Sequence, residues 1–120
     1  MKTILFVDDK PTIGKVLQVY LGKDNDFVYY EDPLKAIDWL SQGNVPDLVI
    51  TDIRMPHMDG KEFLHYMKDN PLYSHIPVVI LSSEDSTTER IQLLEEGAAD
   101  FILKPFNPME LKARVKKYLV

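Results

Sequence analysis

The sequence has no cysteine among its 120 residues. A disulfide framework and a thiolate zinc site are therefore both excluded. Long apolar runs are also lacking, since no stretch approaches the roughly 18 apolar residues of a membrane span. The apolar run after Thr3 stops after four residues at two aspartates, which is too short for the apolar region of a secretory signal peptide. We therefore expect a cytoplasmic protein without a membrane partner.

Positive charge is in short supply. The chain carries 14 basic and 19 acidic residues, for a formal net charge of −5. Non-specific nucleic-acid binding needs a basic surface, so this balance argues against a nucleic-acid partner. Apolar residues make up 45% of the chain, which is ordinary for a globular protein and too high for a disordered one. We expect one domain over residues 1–120, long enough to bury a core on both sides of a sheet.

Short apolar runs alternate with amphipathic segments along the chain. The runs predict five strands, at residues 4–7, 27–30, 47–51, 76–81 and 100–103. Each is followed by a helical pattern with apolar residues three or four positions apart. In chain order these are Ile13, Val16, Leu17, Tyr20 and Leu21; Leu34, Ile37 and Leu40; Phe63, Leu64 and Met67; Ile91 and Leu94; and Leu111, Val115, Tyr118 and Leu119. Strands joined by helical crossovers are parallel, so the fold class is α/β, a (βα)5 sheet.

Helix boundaries have recognisable signals. Pro11 stands near the start of the first helix, where its missing N–H costs little. Asp32 before Pro33 is a typical N-cap for the second helix. Ser86 and Glu89 have the spacing of a capping box for the fourth helix.

Charged residues stand at the carboxyl ends of three predicted strands. Asp8 and Asp9 follow the first strand, Asp52 follows the third, and Lys104-Pro105 follows the fifth. The carboxyl ends of parallel strands form the edge at which ligands bind. Three carboxylates beside one ammonium would repel on balance unless a divalent cation completed the charge. The pattern therefore predicts an oxygen-ligated cation such as Mg²⁺, with one carboxylate left to act on a phosphoryl group.

Each of these residues also has a plainer interpretation. By position alone, Asp52 suits a helix cap or a turn as well as it suits a nucleophile. Asp8 and Asp9 would also be favourable near a helix N-terminus, because of the helix dipole. Lys104 or Ser82 alone would be an ordinary surface lysine or strand-ending serine, and only the flanking residues give either a functional interpretation.

Together the motifs resemble a response regulator receiver domain. The resemblance rests on Asp8-Asp9, Asp52, Met55-Pro56-His57-Met58-Asp59-Gly60, Ser82 and Lys104-Pro105-Phe106. It covers the chain from Lys2 to Leu119. The family implies a doubly wound, flavodoxin-like sheet of strand order 2-1-3-4-5 with helices on both faces. The chain as given resembles a single-domain, chemotaxis-type regulator, or equally a receiver cut from a longer protein.

The resemblance implies a phosphoacceptor site. Asp52 would take a phosphoryl group from a sensor histidine kinase or a histidine phosphotransfer protein. Asp9 and Asp52 would bind Mg²⁺ directly, the backbone carbonyl of Arg54 would join them, and Asp8 would act through water. The domain would be a signalling phosphoacceptor rather than an enzyme, catalysing only its own phosphorylation and slow dephosphorylation.

The remaining site residues follow from the same resemblance. Lys104 would pair with Asp52 before transfer and with a phosphoryl oxygen afterwards, and its bond to Pro105 would be cis. The Ser82 hydroxyl would donate to a phosphoryl oxygen. Phe101 matches the family's switch position, although an aromatic residue in a strand is usually a core residue. Because phenylalanine has no hydroxyl, we expect switching to rest on the burial of the ring as it turns inward.

The resemblance also implies how the signal is regulated and read. Arg54 and Glu84, each two residues beyond a site position, are expected to tune the lifetime of the phosphoryl group. The surface of the fourth helix, fifth strand and fifth helix would contact a downstream target or a removed output domain. The protein would be a monomer or a phosphorylation-dependent dimer.

Three alternatives compete with this interpretation. A haloacid-dehalogenase-type phosphatase would need a second aspartate at position 54, where the chain has Arg54. A flavodoxin-type FMN carrier would need a Ser/Thr/Gly-rich phosphate loop where the chain has Asp-Asp-Lys-Pro. A receiver-like scaffold that never takes phosphate is disfavoured, because every site position carries a competent residue.

Overall fold

The computed structural model describes residues 1–120 and alternates five strands with five helices. The strands are β1 (Thr3–Val7), β2 (Asp26–Tyr30), β3 (Leu48–Asp52), β4 (Val78–Ser82) and β5 (Asp100–Leu103). The helices are α1 (Pro11–Leu21), α2 (Pro33–Ser41), α3 (Gly60–Asp69), α4 (Thr87–Glu95) and α5 (Pro108–Lys116). Every predicted strand is confirmed with small changes at its ends. None of the helices combines the length and apolar character that a membrane crossing requires.

The five strands form one parallel sheet of order β2-β1-β3-β4-β5. β1 and β3 are therefore neighbours at the centre of the sheet, and Val7 pairs with Thr51 at their carboxyl ends. β4 lies on the other side of β3, where Leu81 pairs with Asp52. This order brings the loops after β1, β3 and β4 together at one edge.

The sheet is buried on both faces. Leu5 and Val7 of β1 belong to one core cluster, whereas Ile4 and Phe6 belong to the other. The first cluster is covered by α2, α3 and α4, and the second by α1 and α5. Burial on both sides is the reason that the strands are continuous apolar runs rather than alternating ones.

Side-chain caps fix where the helices begin. The Asp32 carboxylate accepts a hydrogen bond from the first turn of α2, as predicted. The Ser86 hydroxyl accepts from the Glu89 backbone N–H at 3.2 Å, which is one half of the predicted capping box. The complete box lies at α3, where Asp59 and Glu62 each accept from the other's backbone N–H. These caps therefore anchor the loops after β3 and β4 to the first turns of α3 and α4.

Three helical faces differ from the prediction. In α2, Leu34 is 45% exposed, although Leu40 is buried as expected. In α4, Ile91 and Leu94 are 50% and 43% exposed, and the buried residue is Leu93. In α1, Val16 is 40% exposed, although Leu17 is buried as expected. A short helix that packs on a sheet buries only a narrow stripe of side chains. The buried side chains are therefore not always the ones that the apolar pattern selects.

Gly60 allows the loop after β3 to return to the strand it leaves. A Cβ at this position would lie 2.3 Å from the Asp52 carbonyl oxygen and 2.8 Å from the Ile53 Cα. The Gly60 N–H donates to the Ile53 carbonyl at 2.8 Å. Any side chain would push the start of α3 away from the end of β3, so this glycine helps shape the surroundings of Asp52.

Candidate functional site: an acidic cluster at the carboxyl edge of the sheet

Three aspartates meet at the carboxyl edge of the sheet. Carboxylate oxygens of Asp8, Asp9 and Asp52 all lie within 4.8 Å of one another. Asp52 ends β3, Asp8 and Asp9 follow β1, and the two strands are neighbours. Asp8 and Asp52 are buried, at 0% and 3% exposure, and Asp9 is partly exposed. The structure therefore brings together the three carboxylates that the sequence predicts.

Lys104 places its ammonium between two of these carboxylates. Its Nζ lies 2.9 Å from Asp8 Oδ2 and 3.2 Å from Asp52 Oδ1, and its side chain is only 9% exposed. The backbone N–H of Lys104 donates to the Ser82 carbonyl at 2.7 Å, which fixes the end of β5 against β4. The Lys104–Pro105 bond is cis, as the resemblance implied.

Both carboxylate oxygens of Asp8 already accept hydrogen bonds. Oδ2 accepts from Lys104, and Oδ1 accepts from the Lys10 backbone N–H at 2.9 Å. Burial raises the pKa of Asp8, and the hydrogen bonds from Lys104 and Lys10 only partly offset this effect. An inner carboxylate with both oxygens engaged suits indirect contact with a cation better than direct ligation.

A second lysine, which the sequence interpretation missed, neutralises part of the negative charge of the cluster. Lys10 Nζ lies 3.3 Å from Asp9 Oδ1 and 3.5 Å from Asp52 Oδ2. Although burial opposes it, the carboxylates of Asp52 and Asp9 raise the pKa of Lys10. The expected balance of three carboxylates against one ammonium is thus corrected to three against two. The sequence feature that could have predicted this contact is the position of Lys10 directly after Asp8-Asp9. That position keeps its flexible side chain close to the acidic residues.

One buried oxygen of the cluster accepts no hydrogen bond. Asp52 Oδ2 is buried without a hydrogen-bond partner. A buried, hydrogen-bond-free carboxylate oxygen is costly unless something occupies its lone pairs. The side chains grouped here that could bind a metal ion are all carboxylates, with no sulfur or imidazole among them. Such a donor set can hold a hard divalent cation.

Ser82 ends β4 beside Asp52, and its side chain is held by the next turn. Its hydroxyl oxygen accepts from the Glu84 N–H at 3.0 Å, and the residue is only 2% exposed. The hydroxyl is therefore near the site but engaged with its own loop. Any role toward a phosphoryl group requires this contact to change.

Phe101 does not have the conformation expected of it. It is only 6% exposed and belongs to the core cluster on the α2, α3 and α4 side of the sheet. The expectation that the ring turns inward only after phosphorylation is therefore corrected: the ring is already buried. No further burial free energy is available from this conformation, and a switching role for Phe101 stays a prediction.

The mouth of the site carries an ion pair between Arg54 and Glu84. The side chains are 58% and 46% exposed. The hydrogen bonds from Arg54 lower the pKa of Glu84, and those to Glu84 raise the pKa of Arg54. Because solvent screens such an ion pair, it adds little to overall stability, and its main effect is to hold together the two loops that it joins.

Comparison with known proteins decides the family. The family model described as "Response regulator receiver domain" matches residues 4–116. The chain belongs to this family. Response regulator Rre1 of Synechocystis sp. is 37% identical over 119 residues. Sensor histidine kinase TmoS of Ectopseudomonas mendocina is 34% identical over 116 residues.

The receiver domain is the shared part of these longer proteins. The alignments cover 98% of this chain with Rre1 and 97% with TmoS. They cover 51% of Rre1 and 12% of TmoS. The chain thus spans about half the length of one relative and a small part of the other, and what it shares with both is the receiver unit of two-component signalling.

Solved receiver structures share the fold. The chemotaxis response regulator CheY4 of Vibrio cholerae has a TM-score of 0.89 and 27% identity, covering 98% of both chains. The beryllofluoride-activated receiver domain of RstA of Klebsiella pneumoniae has a TM-score of 0.86 and 36% identity, covering 98% of this chain and 97% of that one. The predicted flavodoxin-like receiver fold is confirmed. Membership of the receiver family replaces both the phosphatase and the flavodoxin interpretations.

Proposed function

We propose that this receiver domain accepts a phosphoryl group on Asp52 from a phosphohistidine. The supporting observation is the buried Oδ2 of Asp52, which accepts no hydrogen bond and has the Lys10 ammonium 3.5 Å away. A carboxylate oxygen forms the new bond to phosphorus while the phosphorus–nitrogen bond of the donor breaks, and that electron pair returns to the imidazole. Relatives named as histidine kinases carry this kind of domain, which supports a sensor histidine kinase or histidine phosphotransfer protein as donor.

We assign the acidic cluster to Mg²⁺. Asp9 and Asp52 would hold the ion directly with the backbone carbonyl of Arg54, and Asp8 would act through a water molecule. All-oxygen ligands with retained waters are what this cation prefers. When bound, it would neutralise the charge on the phosphoryl oxygens during transfer.

Lys104 and Ser82 would support the same reaction. The Lys104 ammonium, 3.2 Å from Asp52 Oδ1, orients the carboxylate before transfer and pairs with a phosphoryl oxygen afterwards. Its low exposure limits screening by water, which strengthens the interaction. The Ser82 hydroxyl would exchange its contact with the Glu84 N–H for donation to another phosphoryl oxygen.

The phosphorylated state would end by slow attack of water on the acyl phosphate. The only catalysis proposed for the domain is therefore its own phosphorylation and dephosphorylation. Arg54 and Glu84, at the mouth of the site, would tune how easily water enters and so the lifetime of the phosphoryl group.

The signal would leave through the surface of α4, β5 and α5. Movement of Ser82 shifts the loop that begins α4, and the exposed Ile91 and Leu94 on that helix give a partner apolar surface to contact. The partner would be a downstream protein or an output domain, and the domain would act in the cytoplasm as residues 1–120. Phosphorylation would leave it a monomer or drive dimerisation through this face.

Acetyl phosphate, a small phosphoryl donor, tests this function. Incubation with MgCl2 should give one phosphoryl adduct, mapped by mass spectrometry to Asp52, and EDTA should abolish it. Asp52→Asn should remain unlabelled, whereas Asp69→Asn, at the far end of α3, should label as the parent does. Wild-type labelling of Asp52→Asn, or equal labelling in EDTA, would refute the mechanism. No adduct on the parent would make the domain a scaffold that takes no phosphate.

A further inference from the structure

Lys10 stands between the two carboxylates that are proposed to hold the metal directly. Its Nζ lies 3.3 Å from Asp9 Oδ1 and 3.5 Å from Asp52 Oδ2. Asp52 Oδ2 is also the buried oxygen that accepts no hydrogen bond. A tethered single positive charge therefore lies beside the oxygens that a divalent cation would need.

The two lysines of the site contact different oxygens. Lys104 contacts Asp8 and Oδ1 of Asp52, whereas Lys10 contacts Asp9 and Oδ2 of Asp52. Their burial differs as well, since the Lys104 side chain is 9% exposed and the Lys10 side chain is 55% exposed. Lys104 is fixed in the site, and Lys10 has solvent into which its ammonium can move.

The backbone of Lys10 is held independently of its side chain. Its N–H donates to Asp8 Oδ1 at 2.9 Å. It is the residue before α1, with extended backbone, and Pro11 follows it as the first helical residue. The side chain takes no part in capping the helix. The ammonium can therefore leave the carboxylates without disturbing the fold around them.

We propose that Lys10 is a built-in competitor of the divalent cation, neutralising Asp9 and Asp52 in the metal-free protein and leaving them when the cation binds. This inference rests on the metal site of the proposed function. With such competition, the apparent affinity for the cation equals the intrinsic affinity multiplied by the fraction of molecules in which the carboxylates are free of Lys10. Removing the ammonium should thus tighten metal binding and increase repulsion among the carboxylates of the metal-free protein.

Metal affinity in matched lysine variants tests the proposal. Mg²⁺ binding is measured by calorimetry at constant ionic strength, and Mn²⁺ binding by loss of the free-ion EPR signal. Lys10→Met should bind both ions about two- to fivefold more tightly than the parent, the range expected for partly exposed ion pairs. Lys10→Arg keeps the charge and should stay near the parent. Lys15→Met removes an equal charge from an exposed position of α1 and should also stay near the parent.

Urea unfolding in EDTA gives a second measurement. In the absence of metal, the urea concentration at the unfolding midpoint should be lower for Lys10→Met than for Lys15→Met. Saturating MgCl2 should remove this difference. Equal affinities of Lys10→Met and the parent, or equal gains in both methionine variants, would overturn the competition. Failure of all four proteins to bind either ion would overturn the metal site itself, and with it this inference and the proposed magnesium-dependent function.

Discussion

Arg54 and Glu84 are joined by two parallel hydrogen bonds, from Nε to Oε1 at 2.9 Å and from Nη2 to Oε2 at 2.7 Å. Arg54 lies in the loop after β3 and Glu84 in the loop after β4, so the pair connects two loops beside Asp52. The Glu84 N–H in turn donates to the Ser82 hydroxyl oxygen. The ion pair therefore stabilises the turn that holds Ser82 in its present position.

Removing the Glu84 carboxylate should loosen this turn. In Glu84→Ala, we expect the amides of residues 83–86 to exchange with deuterium about two- to fivefold faster, because local opening no longer breaks the ion pair. Overall stability should change by less than about 1 kcal/mol, as is usual for an exposed pair. Hydrogen exchange followed by NMR measures the first quantity, and urea unfolding measures the second. Asp85→Ala, which removes the neighbouring exposed carboxylate, is the control. Equal exchange in the two variants would show that the pair does not restrain the loop.

Removing Asp9 should separate metal binding from folding. Asp9→Ala loses a proposed direct ligand, so we expect Mg²⁺ to bind at least about tenfold more weakly. Stability in EDTA should stay within about 1 kcal/mol of the parent or rise, because Lys10 can still pair with Asp52 and one source of repulsion is gone. Calorimetric titration and urea unfolding give the two quantities. Asp24→Ala, which removes an exposed carboxylate elsewhere, is the charge control, and unchanged Mg²⁺ affinity in Asp9→Ala would show that Asp9 is no ligand.

Phe101 should behave as a core residue before phosphorylation. Phe101→Ala should cost about 3–5 kcal/mol of unfolding free energy, as deletion of a buried ring does, whereas Phe101→Leu should cost less than about 1.5 kcal/mol. Urea unfolding measures both. A loss below 1 kcal/mol in the alanine variant, on the order of a surface change, would contradict the observed burial.

Phe101→Leu also allows the switch to be followed without unfolding the domain. Beryllofluoride, which stands in for the phosphoryl group on Asp52, should shift backbone amide resonances of residues 83–107 in the parent. Phe101→Leu should still bind beryllofluoride but show smaller shifts in β5 and α5. Phe27→Leu, on the opposite edge strand, should keep the shifts of the parent. Shifts confined to the loops around Asp8, Asp9 and Asp52 would rule out signal output through α4, β5 and α5.

Much of this protein follows from local patterns. Apolar runs that stop in charge located the strands, and helical spacing located the crossovers between them. Because parallel strands place their carboxyl ends together, the residues after β1, β3 and β5 had to lie at one edge. Parallel strands therefore bring Asp8, Asp52 and Lys104 to the same edge, whereas the strand order that makes β1 and β3 neighbours was predicted from the family resemblance.

Other features depend on contacts between residues that are far apart in the chain, which local sequence patterns do not predict. The exposed stripe of α4, with Leu93 buried instead of Ile91 and Leu94, depends on how the helix sits over the sheet. The Arg54–Glu84 pair joins residues 30 positions apart in the chain. Whether such loop residues meet is decided only when β3 and β4 are packed side by side.

By itself, the sequence determined the element order, the fold class and the carboxylates at the sheet edge, because periodicity and strand ends report backbone position directly. Only the tertiary structure decided that Lys10 contacts Asp9 and Asp52, that Phe101 is already buried, and that Ser82 is held by its own loop. The physical reason is rotational freedom: a backbone position fixes where a side chain starts, and the surrounding packing and charges select which of its rotamers is occupied.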